Sequence, residues 1–355
     1  MAANGTINKI VVRGTNWIGD AVMSVPALRE LSRIFPDAEI TLHTRKNVEG
    51  LFDDADFIDR VIAIEKRPSR VKQAIDQAEM LGGEQFDLAI LLPNSFESAL
   101  TTRMARIPRR IGYNKDLRGL LLTDPIAVPE WKSRRHEVFY YLNLIAEVER
   151  RYLNRSTVTA AEPDISLMVS ETRQRAAKEL LQREGADTDR RIVAIGAGST
   201  NSMAKRWPAA RFAELGDRLR AELDAQIVLV GSPSEKDVGA EVTSLSGGKV
   251  IDLIGKTDIS EAAAVLSVCD LLVSNDMGLA HAAPAVGTRA AVIFGPTNPL
   301  TTRPFSANAV VITSNVECSP CMLRECPIDH RCMTRIKVDH VFSVCRQLLS
   351  DEIDQ

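Results

Sequence analysis

Short apolar runs recur along the chain, each closed by glycine, proline or a polar residue and followed by apolar residues spaced three or four apart. Lys9–Arg13 (KIVVR) stops at Gly14 and predicts a strand. Beyond the loop Thr15–Asp20, residues Ala27, Leu28, Leu31, Ile34 and Phe35 share one helical face. Ser24 before Pro26 marks the expected helix start, because proline in a first turn gives up only an amide that has no partner there. Strands are predicted again at Glu39–His43, Val61–Ile64 and Leu88–Leu92, separated by helical or turn material. Runs that are apolar throughout, alternating with helices, predict a parallel sheet covered on both faces.

The second half repeats this logic. Ile192–Ile195 leads into Gly196-Ala197-Gly198, a polar loop runs to Trp207-Pro208, and Phe212, Leu215 and Leu219 form a helical stripe before the strand Ile227–Val230. Val250–Leu253, Leu271–Ser274 and Ala290–Phe294 follow, with helical spacing between them at Ile259, Ala262, Ala263 and Leu266. The pattern predicts an α/β protein of two doubly wound parallel-sheet halves. Between them Ala146–Arg191 is highly charged and contains Pro163, with a helix expected at Glu171–Arg183. The expected domains are therefore 1–165 and 166–355, the second carrying a Cys-rich loop at 318–332 and a C-terminal helix.

Composition narrows the classes of function. A chain of 355 residues holds two domains, each with its own core, so small stapled folds and disordered chains are excluded. The apolar runs, such as Leu88–Leu92 and Leu271–Val273, fall far short of the roughly 18 residues of a membrane helix. Met1–Gly14 has no basic segment followed by an apolar run and cleavage site, so no leader is read there. The expectation is a cytoplasmic protein with reduced thiols. Lys plus Arg number 44 against 47 Asp plus Glu, a net charge of −3, which argues against a nucleic-acid binder.

In open α/β sheets, ligands bind beyond the carboxyl ends of the strands, beside helix amino termini. Five loops meet that condition and are expected to line a central cleft between the domains: Gly14–Asp20, Pro93–Ser98, Gly196–Lys205, Gly231–Glu235 and Asn275–His281. In the last, the amides of Met277 and Gly278 suit a phosphate, while Asp276 is either a ligand contact or an N-cap. His281 lies one turn in, packed against its helix or near the ligand. Lys205 and Arg206 sit in a polar loop, expected to be mobile, that suits clamping a diphosphate or is simply solvated. Glu235 falls where dinucleotide-binding units place a ribose-binding acid, or it starts a helix. Gly14–Asp20 matches neither GxGxxG nor GxxxxGK[ST], so a dehydrogenase or P-loop kinase is not supported. Asp20 heads the first helix, as a cap or as a proton acceptor for an attacking hydroxyl.

Two clusters stand apart from these loops. Arg103, Arg106, Arg109, Arg110, Lys115 and Arg118 face one acid, Asp116, a density that implies an anionic partner such as acceptor phosphates or an acidic membrane surface, or a solvated face. Lys132, Arg134, Arg135 and His136 follow shortly after. Cys318, Cys321, Cys326 and Cys332, with His330 among them, fit a zinc site by count but lack the paired CxxC spacing; a compact loop of reduced thiols is the alternative. Cys269 and Cys345 read as core residues.

Taken together, Arg13–Pro26 (RGTNWIGDAVMSVP), Ala197–Pro208 (AGSTNSMAKRWP), Ser274–His281 (SNDMGLAH) with Phe294–Pro299 (FGPTNP), and Cys318–Met333 (CSPCMLRECPIDHRCM) resemble the ADP-heptose:lipopolysaccharide heptosyltransferases. These are inverting enzymes of glycosyltransferase family 9 with the GT-B fold of two Rossmann-like domains facing a central cleft. The Cys segment is most similar to heptosyltransferase II. The resemblance implies Asp20 as general base, Lys205 on the donor phosphate, Asp276 on the heptose hydroxyls and Met277 and Gly278 as backbone phosphate contacts. It also implies His281 close by and Glu235, through a looser match, near the ribose. Met277 departs from the family's Ser or Thr, which leaves only an amide role.

Further implications are an acceptor-binding N-terminal domain using Asn16, Arg109, Arg110 and Lys115, and a C-terminal domain binding ADP-heptose, the donor substrate. The implied acceptor is Kdo-lipid A bearing the first core heptose, met at the cytoplasmic face of the inner membrane. No metal or other cofactor is required for transfer. Within the resemblance the alternatives are heptosyltransferase I or III, which the Cys segment disfavours, and a GT-B-like sugar-nucleotide epimerase; a non-enzymatic nucleotide-binding scaffold is the third.

Overall fold

The computed structural model describes residues 6–65, 67–160 and 162–350. Residues 1–5, read above for a leader, lie outside the described residues. The chain divides into two compact units, Met1–Ile165 and Ser166–Gln355.

The first unit contains β1 (Lys9–Arg13), β2 (Glu39–Arg45), β3 (Arg60–Ile64), β4 (Leu88–Leu91), β5 (Arg109–Tyr113) and β6 (Asp124–Ile126). They form one parallel sheet in the order β3-β2-β1-β4-β5-β6, with Lys9 opposite Glu39 and Ile10 opposite Leu88. The second unit contains β7 (Ile192–Gly196), β8 (Gln226–Leu229), β9 (Val250–Asp252), β10 (Leu271–Asn275), β11 (Arg289–Phe294) and β12 (Ala309–Thr313). Their order, β12-β11-β10-β7-β8-β9, is also parallel throughout. Counted within its own unit, each sheet runs 3-2-1-4-5-6, the doubly wound order. Winding reverses between β1 and β4 in one sheet and between β7 and β10 in the other.

The central strands are buried almost without interruption, which is why they read as continuous apolar runs rather than alternating ones. Parallel neighbours need long crossovers, and helices such as Ile18–Ile34 supply them. That helix buries Ala21, Val22, Val25, Leu28 and Leu31 and packs against helix Glu137–Val148. In the second unit Trp207, Phe212, Leu215, Ile227 and Phe342 belong to one core.

Two expectations are corrected. The first helix begins at Ile18 rather than near Ser24, and Pro26 lies inside it. Burial of the segment Ala21–Leu28 outweighs the one hydrogen bond that proline removes. The sequence reading also missed β5, β6 and β12. Among the described residues no helix is long and apolar enough to cross a membrane.

Candidate active site

In the second unit the loops beyond β7 and β10 are locked together by Asn275. Its side chain is buried, donates from Nδ2 to Ala197 O at 2.7 Å and Gly198 O at 3.2 Å, and accepts from Trp207 N at 2.9 Å. Next to it, Asp276 Oδ2 forms an ion pair with Lys205 Nζ at 2.7 Å and accepts from Thr297 Oγ1 at 2.7 Å. Asp276 is therefore not the helix cap. That position belongs to Met277, which makes no side-chain capping bond, and helix Gly278–Ala285 begins at the next residue. Ala280 N already donates to Met277 O at 3.1 Å, and the amides of Gly278 and Leu279 before it lie ahead of the first helical carbonyl, as at any helix start. His281 is buried one turn in.

Lys205 closes a short 3-10 turn, Met203–Lys205, that is anchored rather than loose. Ala204 N and Ser202 Oγ both donate to Arg324 O, at 3.0 and 3.1 Å, and the His330 ring nitrogen Nε2 is hydrogen-bonded to Ala204 O. Trp207 is buried and donates from Nε1 to Ile336 O at 3.0 Å. The polar loop expected to be mobile is thus braced by the Cys-rich segment. In that segment Cys318 and Cys321 are exposed and Cys332 is buried. Burial, then the neighbouring thiols of Cys318, Cys321 and Cys326, push the Cys332 thiol up to about 11, so it stays protonated. Among the described residues no group of three or more His, Cys, Asp or Glu side chains is arranged to hold a metal ion. All six cysteines are free, and Cys269 and Cys345 are buried.

Glu235 takes the helix-starting role and more. Its Oε2 accepts from Ser232 N at 2.7 Å, completing a capping box, while Oε1 is buried without a hydrogen bond. A Cβ at Gly198 would lie 2.2 Å from that Oε1, and one at Gly196 would lie 2.8 Å from Met277 Sδ. Glycine at these two positions lets the loop after β7 pass directly over Glu235 and Met277.

In the first unit Asp20 is the third residue of its helix, after Trp17 at the cap position, and receives a hydrogen bond from Tyr141 Oη at 3.3 Å. Burial first, then the Asp20 charge, holds the Tyr141 hydroxyl well above its usual value, so it remains a donor. Asn16 Oδ1 accepts from Arg13 Nη2 at 3.1 Å and from Arg45 Nε at 2.8 Å. Burial and the Arg45 charge bring Arg13 down to about 10, with Glu97 opposing. The same two causes, burial and then Arg13, bring buried His43 down to about 3.

Two members of the basic run Arg103–Arg118 are consumed within the fold, while Arg103, Arg106 and Lys115 are exposed. Arg118 is fully buried, donating to Tyr113 O at 2.8 Å, to Asn94 Oδ1 at 3.2 Å and to Pro93 O. Arg110 donates from Nε to Leu121 O at 2.8 Å and from Nη1 to Ile107 O. Arg109 and Arg110 open β5, so they stand at the amino end of the sheet, about 13 Å along the strand from its carboxyl end. Asp20, Asn16 and exposed Lys115 follow strand carboxyl ends. The structure therefore keeps Asn16 and Lys115 at Asp20's end of the sheet and leaves Arg109 and Arg110 at the other. Tyr141, Arg13, Arg45, Asn275 and Thr297 were not singled out as site residues in the sequence. Thr297 and Asn275 were within reach, each lying inside or beside a recognised stretch at a strand's carboxyl end.

Residues 76–331 match glycosyltransferase family 9 (heptosyltransferase). Lipooligosaccharide heptosyltransferase 2 of Campylobacter jejuni is 28% identical over 348 residues, covering 97% of this chain and 99% of that protein. Lipopolysaccharide heptosyltransferase 2 of Escherichia coli K12 is 28% identical, covering 86% of this chain and 87% of its own. The solved structure of the E. coli ADP-heptose lipopolysaccharide heptosyltransferase II superposes with a TM-score of 0.81 at 26% identity, over 97% of this chain and 99% of that one.

Proposed function

The chain belongs to glycosyltransferase family 9, and on that premise we propose that it transfers heptose from ADP-heptose to the first heptose of a lipopolysaccharide inner core. The observation that carries this reading is the Lys205–Asp276–Thr297 cluster, with Asp276 and Thr297 buried and Lys205 partly exposed, which lies at the β7/β10 winding reversal and inside the matched segment. A diphosphate approaching that point meets the Lys205 ammonium and the amino end of helix Gly278–Ala285, while Asp276 is already paired and so repels it less. Asp276 is then placed for the heptose hydroxyls, with Met277 and Gly278 giving backbone contacts, His281 behind them and Glu235 on the ribose side.

On the acceptor side Asp20 takes the proton of the attacking hydroxyl as its oxygen bonds to the anomeric carbon. The bond from that carbon to the diphosphate oxygen breaks, its electron pair leaving with ADP, and attack from the opposite face inverts the centre. Tyr141 orients the carboxylate. Asn16 and Lys115 are the acceptor contacts supported by position. The charge stabilisation comes from Lys205 and backbone amides, so the reaction proposed needs no bound metal or other cofactor. The proposed setting is the cytoplasm, peripherally at the inner membrane where Kdo-lipid A carries the acceptor heptose.

The test uses purified full-length protein, ADP-heptose and a heptose-terminated core acceptor, with ADP release followed over time. Release that requires both substrates is expected. Failure to release ADP, or conversion of a UDP-sugar without any acceptor, would overturn the reading, the latter in favour of an epimerase.

A further inference from the structure

We propose that Arg13 and Arg45, joined through Asn16, form an anion subsite in the first unit that receives one phosphate or carboxylate group of the acceptor. The inference rests on the acceptor-side role proposed for this unit. Arg13 Nη2 and Arg45 Nε reach the same oxygen, Asn16 Oδ1, at 3.1 and 2.8 Å, so the two donating nitrogens lie within about 6 Å of each other. Among the described residues neither guanidinium makes a salt bridge. Glu97 acts on Arg13 only at a distance, and its Oε1 accepts from Gln73 Nε2 at 3.3 Å.

Two cations held this close, one of them buried, repel each other, and a neutral amide oxygen does not cancel the charge. An oxyanion does, and guanidinium forks match its geometry. Glu97 is the one acid whose charge is felt at Arg13, and it makes no ion pair with it among the described residues. His43, depressed by burial and Arg13, is neutral, and Thr15 Oγ1 is buried in the same loop without a hydrogen bond. Arg13 and Arg45 end β1 and β2, and the chain that leaves β1 reaches Asp20 within one loop. Arg110 and Arg118 spend their donors on carbonyls and an amide inside the fold, and Arg13 gives Nη1 to Gly14 O and to His43 O at 3.4 Å, so its Nη2 and the Arg45 guanidinium are what face Asn16. The Arg13–Arg45 pair is thus on the Asp20 side of the sheet.

Arg45 is the residue to alter, because Arg13 is buried and its loss would disturb folding as well. In the first arm, inorganic phosphate is titrated into the full chain by calorimetry. Arg45→Gln is expected to weaken phosphate binding at least tenfold and Arg45→Lys less, with circular dichroism and the melting curve unchanged. In the second arm, kcat/KM is compared for the heptose-terminated acceptor and for the same acceptor with its phosphates removed, its carboxylates reduced, or both. The wild-type preference for the charged acceptor should shrink at least tenfold in Arg45→Gln, and the singly neutralised acceptors show whether phosphate or carboxylate is bound. Phosphate affinity equal in wild type and Arg45→Gln, or an acceptor preference untouched by the change, overturns the subsite. If no acceptor is used at all, the transfer reading fails, and the phosphate arm still decides the subsite.

Discussion

The two sheets share one strand order, yet the charges at their winding reversals are in opposite states. At β7/β10 the charges are paired, Lys205 with Asp276, and hydrogen bonds through the neutral side chains of Thr297 and Asn275 hold the loops around them. At β1/β4 and beside it, Asp20 is held by a tyrosine hydroxyl, while Arg13 and Arg45 share a neutral oxygen. Topology fixes where a ligand meets the sheet, and the end-of-strand side chains decide what it meets. A pre-paired cluster suits a fixed group such as ADP, while unbalanced cations suit a substrate that brings its own negative charge.

The largest effect should come from the side of the comparison proposed to do the chemistry. Asp20→Asn is expected to lower kcat by about a thousandfold while ADP affinity stays within twofold, since the base is lost and the other unit is untouched. Near-normal turnover in an ADP-release assay would remove Asp20 from that role. On the paired side, Lys205→Ala should weaken ADP-heptose binding up to about 100-fold, because a charge contact is lost and Asp276 is left buried and negative. Calorimetry reads this directly, and unchanged affinity would mean the Lys205–Asp276 pair is purely structural.

Gly198→Ala sharpens the same side through packing. The new methyl must displace the buried Glu235 carboxylate and should cost about 2 to 3 kcal/mol in chemical denaturation, with Glu235→Ala in the same chain recovering part of it. The smallest effect lies on the unbalanced side and depends on pH. His43 is held at about 3 against an ordinary 6.5, so below pH 6.5 the unfolded chain takes up a proton that the native one refuses. Its contribution is complete above 6.5 and falls toward pH 3 by up to about 1.4 kcal/mol per unit, or about 2 kcal/mol at pH 5. In denaturation of wild type and His43→Asn at pH 5 and 7.5, the variant should lose less stability on acidification; equal losses would show that His43 is not held neutral.

Much of the fold was legible because central strands are apolar on both faces and helices show their spacing. β5 escaped because RRIGY begins with two arginines and reads as part of a charged cluster. β6 has only three residues, one of them Pro125, and edge β12 is half-exposed, so neither carries a clear run. Asp20, Lys205 and Asp276 stand out in the sequence by their places beyond strand ends, and the structure keeps them there. Arg13 and Arg45 were not, because each looks like the polar end of a strand, and only the pairing of β1 with β2 brings them to one oxygen. Conversely Arg118 looked like a ligand-facing cation until its burial showed all its donors turned inward.

All six strands of the first sheet are drawn from residues 9–126, and none of the second sheet begins before Ile192. Ile10 waits for Leu88 before the β1/β4 reversal exists, a long-range pairing of the kind that slows folding. That wait ends well before β7 is translated, because synthesis proceeds at about 5 to 20 residues per second and domains generally fold as units. The charges of the first sheet are thus set in place on the growing chain by their own unit alone. Damage to the second sheet should then leave behind a first unit that still folds and still carries its unbalanced arginines.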